Sequence, residues 1–335
     1  MQFQLPIQIK SPVKKINYRD SILLIGSCFT EHIGNALSEL KFSVLQNPNG
    51  ILFDPASVCK SLHSYIANHK YKEGDLFQLN EVWNSWNHHS RFSNINKAAC
   101  LNEINESHQK AHEFLKKSDW LIITLGSSFS YRLLEDSSQI PLLGGGRAGV
   151  ANCHRAPQQW FNKHLLSIEE IISNLEDCYR QLYDFNPNLN IIYTISPVRH
   201  IRDGVVENNR SKARLLEAVH HIVNKFDKLS YFPAYELVID VLRDYRFYDI
   251  DLVHPNYMAT EFVLEKFAES FIDEESRQLI EEVRKIVIAR KHKAFQPETS
   301  AHKLFLKSQL EKATELQKKF PFINLKEEIN YFEMA

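Results

Sequence analysis

Short apolar runs alternate with stretches of helical spacing along most of the chain. Ser21-Ile22-Leu23-Leu24-Ile25 breaks at Gly26 and then becomes a helical pattern through Thr30-Glu31-His32-Ile33-Gly34-Asn35-Ala36-Leu37. A continuous apolar run that ends at glycine and changes to a 3.6-residue period predicts strand, tight turn, helix. Apolar runs recur at residues 41–46, 119–126, 189–195 and 229–233, which makes five predicted strands. Helical spacing occupies residues 54–72, 102–117, 167–183, 209–225, 235–244 and 256–271. Asp54-Pro55 supplies a cap and first position for one of these helices, Ser167-Ile168-Glu169-Glu170 is a capping-box-like opening for another, and Pro255 suits the start of the last. Strands that alternate with helices predict an α/β fold: a three-layer αβα sandwich around a central, mainly parallel five-stranded sheet. The loops that follow the strands then share one edge of the sheet, where open α/β proteins bind ligands.

Two stretches interrupt the alternation. Trp83-Asn84-Ser85-Trp86-Asn87-His88-His89-Ser90-Arg91-Phe92 is too dense in aromatic and histidine residues for a plain linker, and reads as an inserted loop or hairpin covering a site. Leu143-Gly144-Gly145-Gly146-Arg147-Ala148-Gly149 does not match the phosphate-loop pattern and follows no apolar strand, so it reads as a flexible loop. From residue 273 onward the chain is helical and charged, with Pro297 and Pro321 as punctuation. The expected organisation is one domain over 1–272, with an inserted helical and aromatic segment at about 54–117, and a C-terminal helical extension over 273–335 that serves packing or homo-oligomer contact.

Composition narrows the function classes. The chain has 335 residues, 44% hydrophobic and 24% charged, enough for a sizeable core. A formal net charge of -1 gives no electrostatic reason to expect nucleic acid or an anionic membrane as partner, and a small neutral or modestly polar substrate fits better. The first residues lack a basic segment followed by a long apolar stretch, and no apolar run reaches membrane-spanning length, so the expectation is a soluble, cytoplasmic protein. Cys28, Cys59, Cys100, Cys153 and Cys178 are scattered and unpaired in sequence, indicating neither a disulfide framework nor a zinc site. His88 and His89 are adjacent and lack distant partners of metal-ligand type, so no metal is expected, and no cofactor motif is present.

The candidate chemistry lies in the loops. Ser27 follows the first strand and heads a helix, where it is either a helix cap or a nucleophile. Gly50, in the turn Asn47-Pro48-Asn49-Gly50, is either a turn glycine or a backbone donor close to a ligand. Asn152, Cys153 and His154 lie in a loop of mixed chemistry, as surface residues or as site residues. Asp251 and His254 stand three apart before a helix, a spacing that lets the carboxylate accept the imidazole Nδ1–H. A serine after the first strand, with Asp-x-x-His after the last, is the order of SGNH (GDSL-like) hydrolases. The stretch Gly26-Ser27-Cys28-Phe29 further resembles the GSCFA-domain family, bacterial proteins related to that superfamily. The likeness continues through Asn47-Pro48-Asn49-Gly50, His89-Ser90-Arg91-Phe92, Thr124-Leu125-Gly126, Asn152-Cys153-His154, Ser196-Pro197-Val198-Arg199 and Asp251-Leu252-Val253-His254-Pro255, and covers roughly residues 20–270.

The resemblance implies Ser27 as nucleophile, His254 as base and later acid, and Asp251 as its orienting partner. It places Gly50 and the Ser27 amide in the oxyanion hole, with His89 and His154 lining the site. The superfamily's oxyanion asparagine falls on Ser128, so that either the Ser128 hydroxyl substitutes or Asn152 reaches in. Cys28, the neighbour of Ser27, is a second candidate nucleophile at the same helix start. The implied activity is an esterase or deacylase acting on a small acyl ester or an O-acylated carbohydrate, with Trp83 and Trp86 stacking on sugar or acyl groups. An O-acyltransferase using the same site and a non-catalytic binding module on the same fold are the alternatives.

Overall fold

A computed structural model of the protein describes residues 4–134 and 149–334. The glycine run Gly144–Gly146 falls outside the described residues. The central sheet contains β1 (Ser21–Gly26), β2 (Ser43–Gln46), β5 (Trp120–Leu125), β9 (Asn190–Ile195) and β10 (Leu229–Phe232), in the order β10-β9-β5-β1-β2. Every neighbouring pair is parallel. The chain therefore lays strands outward on one side of β1 and then crosses back to build the other side. The crevice at the carboxyl ends of β1 and β5, where the direction of winding reverses, is the topological switch point.

Alternation along each strand explains the three layers. Ile22, Leu24, Trp120, Ile122, Ile192 and Phe232 pack on one face against α1 (Cys28–Glu39), the helical turn α6 (Ala234–Glu236) with its π-helical continuation Leu237–Leu242, and α7 (Tyr257–Phe271). Leu23, Ile25, Leu121, Ile123, Ile191 and Tyr193 pack on the other face against α2 (Pro55–Ile66), α3 (Lys97–Lys117), α4 (Ile168–Phe185) and α5 (Val205–Lys225). Both faces are buried, which is why the strands read as continuous apolar runs. The two predicted caps hold. Asp54 accepts from the Ser57 amide at 3.0 Å, and Ser167 and Glu170 exchange a reciprocal capping box. At α7 the cap is Asn256, one residue beyond Pro255.

The structure redraws the inserted segment. α2 and α3 belong to the sheet's own helical layer, and the added part is the stretch between them, residues 67–96. That stretch carries a hairpin of β3 (Phe77–Leu79) and β4 (Val82–Asn84). A second small sheet, not predicted from sequence, joins β6 (Phe129–Leu133) to β7 (Gly149–Val150) and β8 (Phe161–Leu165), all antiparallel. The C-terminal helices α8 (Glu274–Lys291), α9 (Ser300–Lys319) and α10 (Lys326–Met334) share the α1/α7 core through Leu279, Val283, Leu306, Ala313, Leu325 and Phe332. Fully buried Glu328 pairs there with Lys41 at 2.7 Å and Arg290 at 3.3 Å. No helix among the described residues is long and apolar enough to cross a membrane.

One glycine makes the sheet edge possible. Gly26 has φ +146°, and a Cβ there would sit 2.1 Å from the Thr124 carbonyl oxygen, a backbone atom that cannot move aside. Gly26→Ala is expected to cost about 3 kcal/mol or more in urea unfolding, whereas Gly74→Ala, with nothing within 4 Å of the added methyl, stays within about 0.5 kcal/mol.

Candidate active site

Ser27 occupies the N-cap position of α1, yet its side chain makes no cap hydrogen bond. The residue is only 4% exposed, and its Oγ is buried with no hydrogen-bond partner among the described residues. A capping serine would accept from an amide of the first helical turn, so the cap reading does not account for this side chain. Buried hydroxyls are usually paired, and this unpaired one, like the neighbouring Thr30 hydroxyl, lies at a helix amino terminus beside a topological switch point. Next to it, burial pushes the Cys28 thiol up from its ordinary pKa, which favours the protonated, weakly nucleophilic form.

The Asp251–His254 pair forms as expected. The Asp251 Oδ2 lies 2.6 Å from His254 Nδ1, while Oδ1 accepts the amides of Val253 at 2.9 Å and His254 at 3.0 Å. The His254 amide, then its ring and the Val253 amide, hold the carboxyl down at about 2. This acid stays ionised through the neutral range and fixes one ring nitrogen of His254. The loop is pinned in place: the Arg199 amide donates to the Val253 carbonyl at 3.3 Å, and the Asp249 amide to the His254 carbonyl at 2.8 Å. It thus sits over the loop that leaves β9, on the same sheet edge as Ser27. The Ser27 hydroxyl and the His254 ring are not hydrogen-bonded to each other in this structure.

Three of the oxyanion donors named from sequence, on Ser27, Gly50 and Ser128, are engaged elsewhere. The Ser27 amide donates to the Thr124 carbonyl at 3.1 Å, a contact that continues the β1–β5 pairing. The Gly50 amide closes its own turn onto the Asn47 carbonyl at 2.7 Å. Gly50 has φ +78°, and an added Cβ would collide with the His89 Cβ, so this glycine lets His89 pack against the turn. Ser128 is 0% exposed; its amide donates to Ser211 Oγ at 2.8 Å and its hydroxyl to the Ser211 carbonyl at 3.1 Å. Asn152 turns its Oδ1 onto the His154 amide at 2.8 Å. The amides of Cys28 and Phe29, at the head of α1, have no backbone acceptor among the described residues; both lie close enough to the Cys28 thiol to oppose the effect of its burial.

The remaining candidates belong to a buttress around the Asn47–Gly50 turn. Asn47 Oδ1 accepts the Gly26 amide at 2.9 Å, and the His89 amide donates to the Asn49 carbonyl at 2.8 Å. Asn49 also receives the Tyr65 hydroxyl at 2.8 Å. His154 meets the Ser85 carbonyl through Nε2 at 2.8 Å, tying the Asn152 loop to the insert. Trp86 stacks on Phe77 with ring centroids 3.6 Å apart and is buried in a core that the insert shares with Val150 and Trp160, so it is not open to a sugar. Trp83 is half-buried, with the Lys97 ammonium over its ring at 4.6 Å.

Sequence reading missed the start of α5. Asn208 Oδ1 accepts the His200 amide at 2.9 Å, and Ser211 holds both Ser127 and Ser128. Lys212, 1% exposed, donates to the carbonyls of Gly126 and Ser196, each at 2.6 Å. The signal was present as polar residues at helical spacing, Asn208, Ser211 and Lys212, but such a stripe reads as a solvated face until the helix is placed.

The model of the GSCFA family matches residues 21–267, and the model described as GSCFA domain protein, C-terminal domain, matches residues 283–335. The chain belongs to the GSCFA family. No curated protein matches this GSCFA chain. Among solved structures it is similar to a carbohydrate esterase family 3 protein from Talaromyces cellulolyticus, at 10% identity and a TM-score of 0.36, covering 78% of this chain and 99% of that one. A likeness at that score carries no functional argument.

Buried histidines beside this GSCFA site give a pH test. Burial holds His88 at about 3 and His108 at about 4, against 6.5 when unfolded, and raises the Asp54 carboxyl from 3.8 to about 6. As pH falls below 6.5, the unfolded chain takes up the histidine protons that the native state refuses, and stability is lost. Asp54 acts in the opposite sense between about 6 and 3.8, binding its proton earlier in the native state, so the net loss is that of roughly one proton over most of the window. Urea unfolding is expected to give roughly 2–4 kcal/mol less stability at pH 4 than at pH 6.5 from these three groups, with a steeper loss in Asp54→Asn and a shallower one in His88→Phe.

Proposed function

We propose that this GSCFA protein is a serine hydrolase of the SGNH type, an esterase or deacylase that cleaves a small or carbohydrate O-acyl ester through an acyl-Ser27 intermediate. The observation that carries the reading is the buried, unpartnered Ser27 hydroxyl at the switch point, on the same sheet edge as a His254 ring oriented by Asp251. In the proposed cycle His254 Nε2 takes the Ser27 proton while Oγ bonds to the ester carbonyl carbon. The same nitrogen then protonates the departing alcohol oxygen as the C–O bond breaks. Water, deprotonated by His254, attacks the acyl-serine, and the carboxylic acid leaves as the proton returns to Ser27. The Cys28 and Phe29 amides at the head of α1 are the donors available to the oxyanion.

A second reading, a binding module that keeps the fold without the chemistry, draws support from the engaged amides of Ser27, Gly50 and Ser128. Labelling with a fluorophosphonate probe separates the two. The hydrolase reading expects stoichiometric labelling of wild type, none in Ser27→Ala, a fall of about 10³-fold or more in rate in His254→Asn, and of about 10²–10⁴-fold in Asp251→Asn, with parallel losses on short acyl esters. A folded wild type that neither labels nor turns over any ester belongs to the binding module.

A further inference from the structure

Lys212 is a buried ammonium with no acidic partner. Among the described residues no carboxylate faces it: Cys28 approaches from α1, Arg199 and His200 from the loop after β9, and the Tyr235 ring from α6 at 5.9 Å. Its two carbonyl acceptors, Gly126 and Ser196, are the first residues past the carboxyl ends of β5 and β9. Gly126 abuts the nucleophile turn, since a Cβ built on it would lie 3.2 Å from the Ser27 Cβ. A buried charge without a counter-ion costs several kcal/mol, and a fold that only needed to tie two strand ends could do so with a neutral donor. The negative charge missing from its surroundings is the charge that an acyl-transfer transition state would bring.

We propose that Lys212 is a positioning residue of the Ser27 site: its ammonium clamps Gly126 and Ser196, and its uncompensated positive charge stabilises the oxyanion in place of the side-chain donor that Ser128 does not provide. The inference rests on the hydrolase reading of Ser27. A monopole in a low-dielectric setting acts beyond contact distance, so Lys212 needs no bond to the substrate. It also accounts for a helix whose Ser211 occupies the amide and hydroxyl of Ser128 while its next residue carries the charge. Burial pulls the ammonium down to about 7, with Cys28 opposing the fall and Arg199 adding to it. The charged form is therefore lost as pH rises through the neutral range.

The test follows the rate of Ser27 labelling by a fluorophosphonate from pH 5 to 10 in wild type, Lys212→Met, Lys212→Arg and Cys28→Ser, with unfolding curves for each. Wild type is expected to show an alkaline fall beginning near pH 7. Cys28→Ser keeps that fall, Lys212→Arg moves it beyond pH 9, and folded Lys212→Met labels about 30–100-fold more slowly at pH 6.5 with no alkaline limb. A wild-type profile flat from pH 6 to 9, or a folded Lys212→Met that labels at the wild-type rate, overturns the role of Lys212 and leaves the hydrolase reading standing. The flat wild-type profile decides the matter even if the variants do not fold. Absence of Ser27-dependent labelling in wild type at every pH overturns both.

Discussion

The Ser27 amide bonded to the Thr124 carbonyl is the contact on which the architecture of this GSCFA protein turns. It extends the β1–β5 pairing one residue past the strand, and it does so only because Gly26 brings its Cα against the β5 backbone without a side chain. Past Ser27 the chain leaves the sheet as α1, and the first two amides of that helix, Cys28 and Phe29, have no backbone acceptor among the described residues. The same contact uses the Ser27 amide and leaves its hydroxyl free, the reverse of what a helix cap needs. β1 and β5 are the neighbours between which the winding reverses, so the next two loops, Asn47–Gly50 and Gly126–Ser128, arrive beside it from opposite directions.

Those loops are held by buried polar groups. Asn47 and Asn49 knit the turn after β2 to Gly26, Tyr65 and His89, and the opening turns of α5 knit the loops after β5 and β9 through Asn208, Ser211 and Lys212. Buried polar networks of this kind favour one loop conformation, whereas apolar packing would tolerate several. Carbonyl groups at the carboxyl end of a parallel sheet lack the next strand residue to bond, and a long cationic side chain from a helix below is one way to satisfy two of them together. The insert contributes on the other side: the Trp86–Phe77 stack packs into one core with Val150 and Trp160, and the Ser85–His154 bond anchors the Asn152 loop.

The inner strands β1, β5 and β9 were legible because each is buried on both faces and leaves a continuous apolar run, and the partly buried edge strands β2 and β10 were legible as shorter apolar stretches beside turn residues. β6 and β8 were not: Phe129-Ser130-Tyr131-Arg132-Leu133 alternates apolar with polar residues over a length too short to stand out, and Phe161-Asn162-Lys163-His164-Leu165 is apolar only at its ends. The Asp251–His254 pair was readable from spacing because both groups lie in one turn. The fate of the oxyanion donors was not, since the Gly50 and Ser128 amides are occupied by partners set by the turn's own closure and by a helix 83 residues away in sequence. Trp86 illustrates the same limit, since composition marks an aromatic as available for stacking and only the neighbouring Phe77 says that its face is taken.

The sequence by itself determined the α/β class, the five parallel strands, the caps of α2 and α4, and the local pair Asp251–His254, all of which depend on periodicity or on residues within a few positions of each other. Only the tertiary structure decided that the Ser27 hydroxyl is unpartnered, that three named donors are engaged, that α2 and α3 belong to the sheet's own layer, and that a lysine of α5 stands beneath the crevice. Each of these depends on which backbone groups the sheet pairing has already used and on which distant helix fills the space left over. Those are properties of the packed whole, and no local pattern of apolar and polar residues records them.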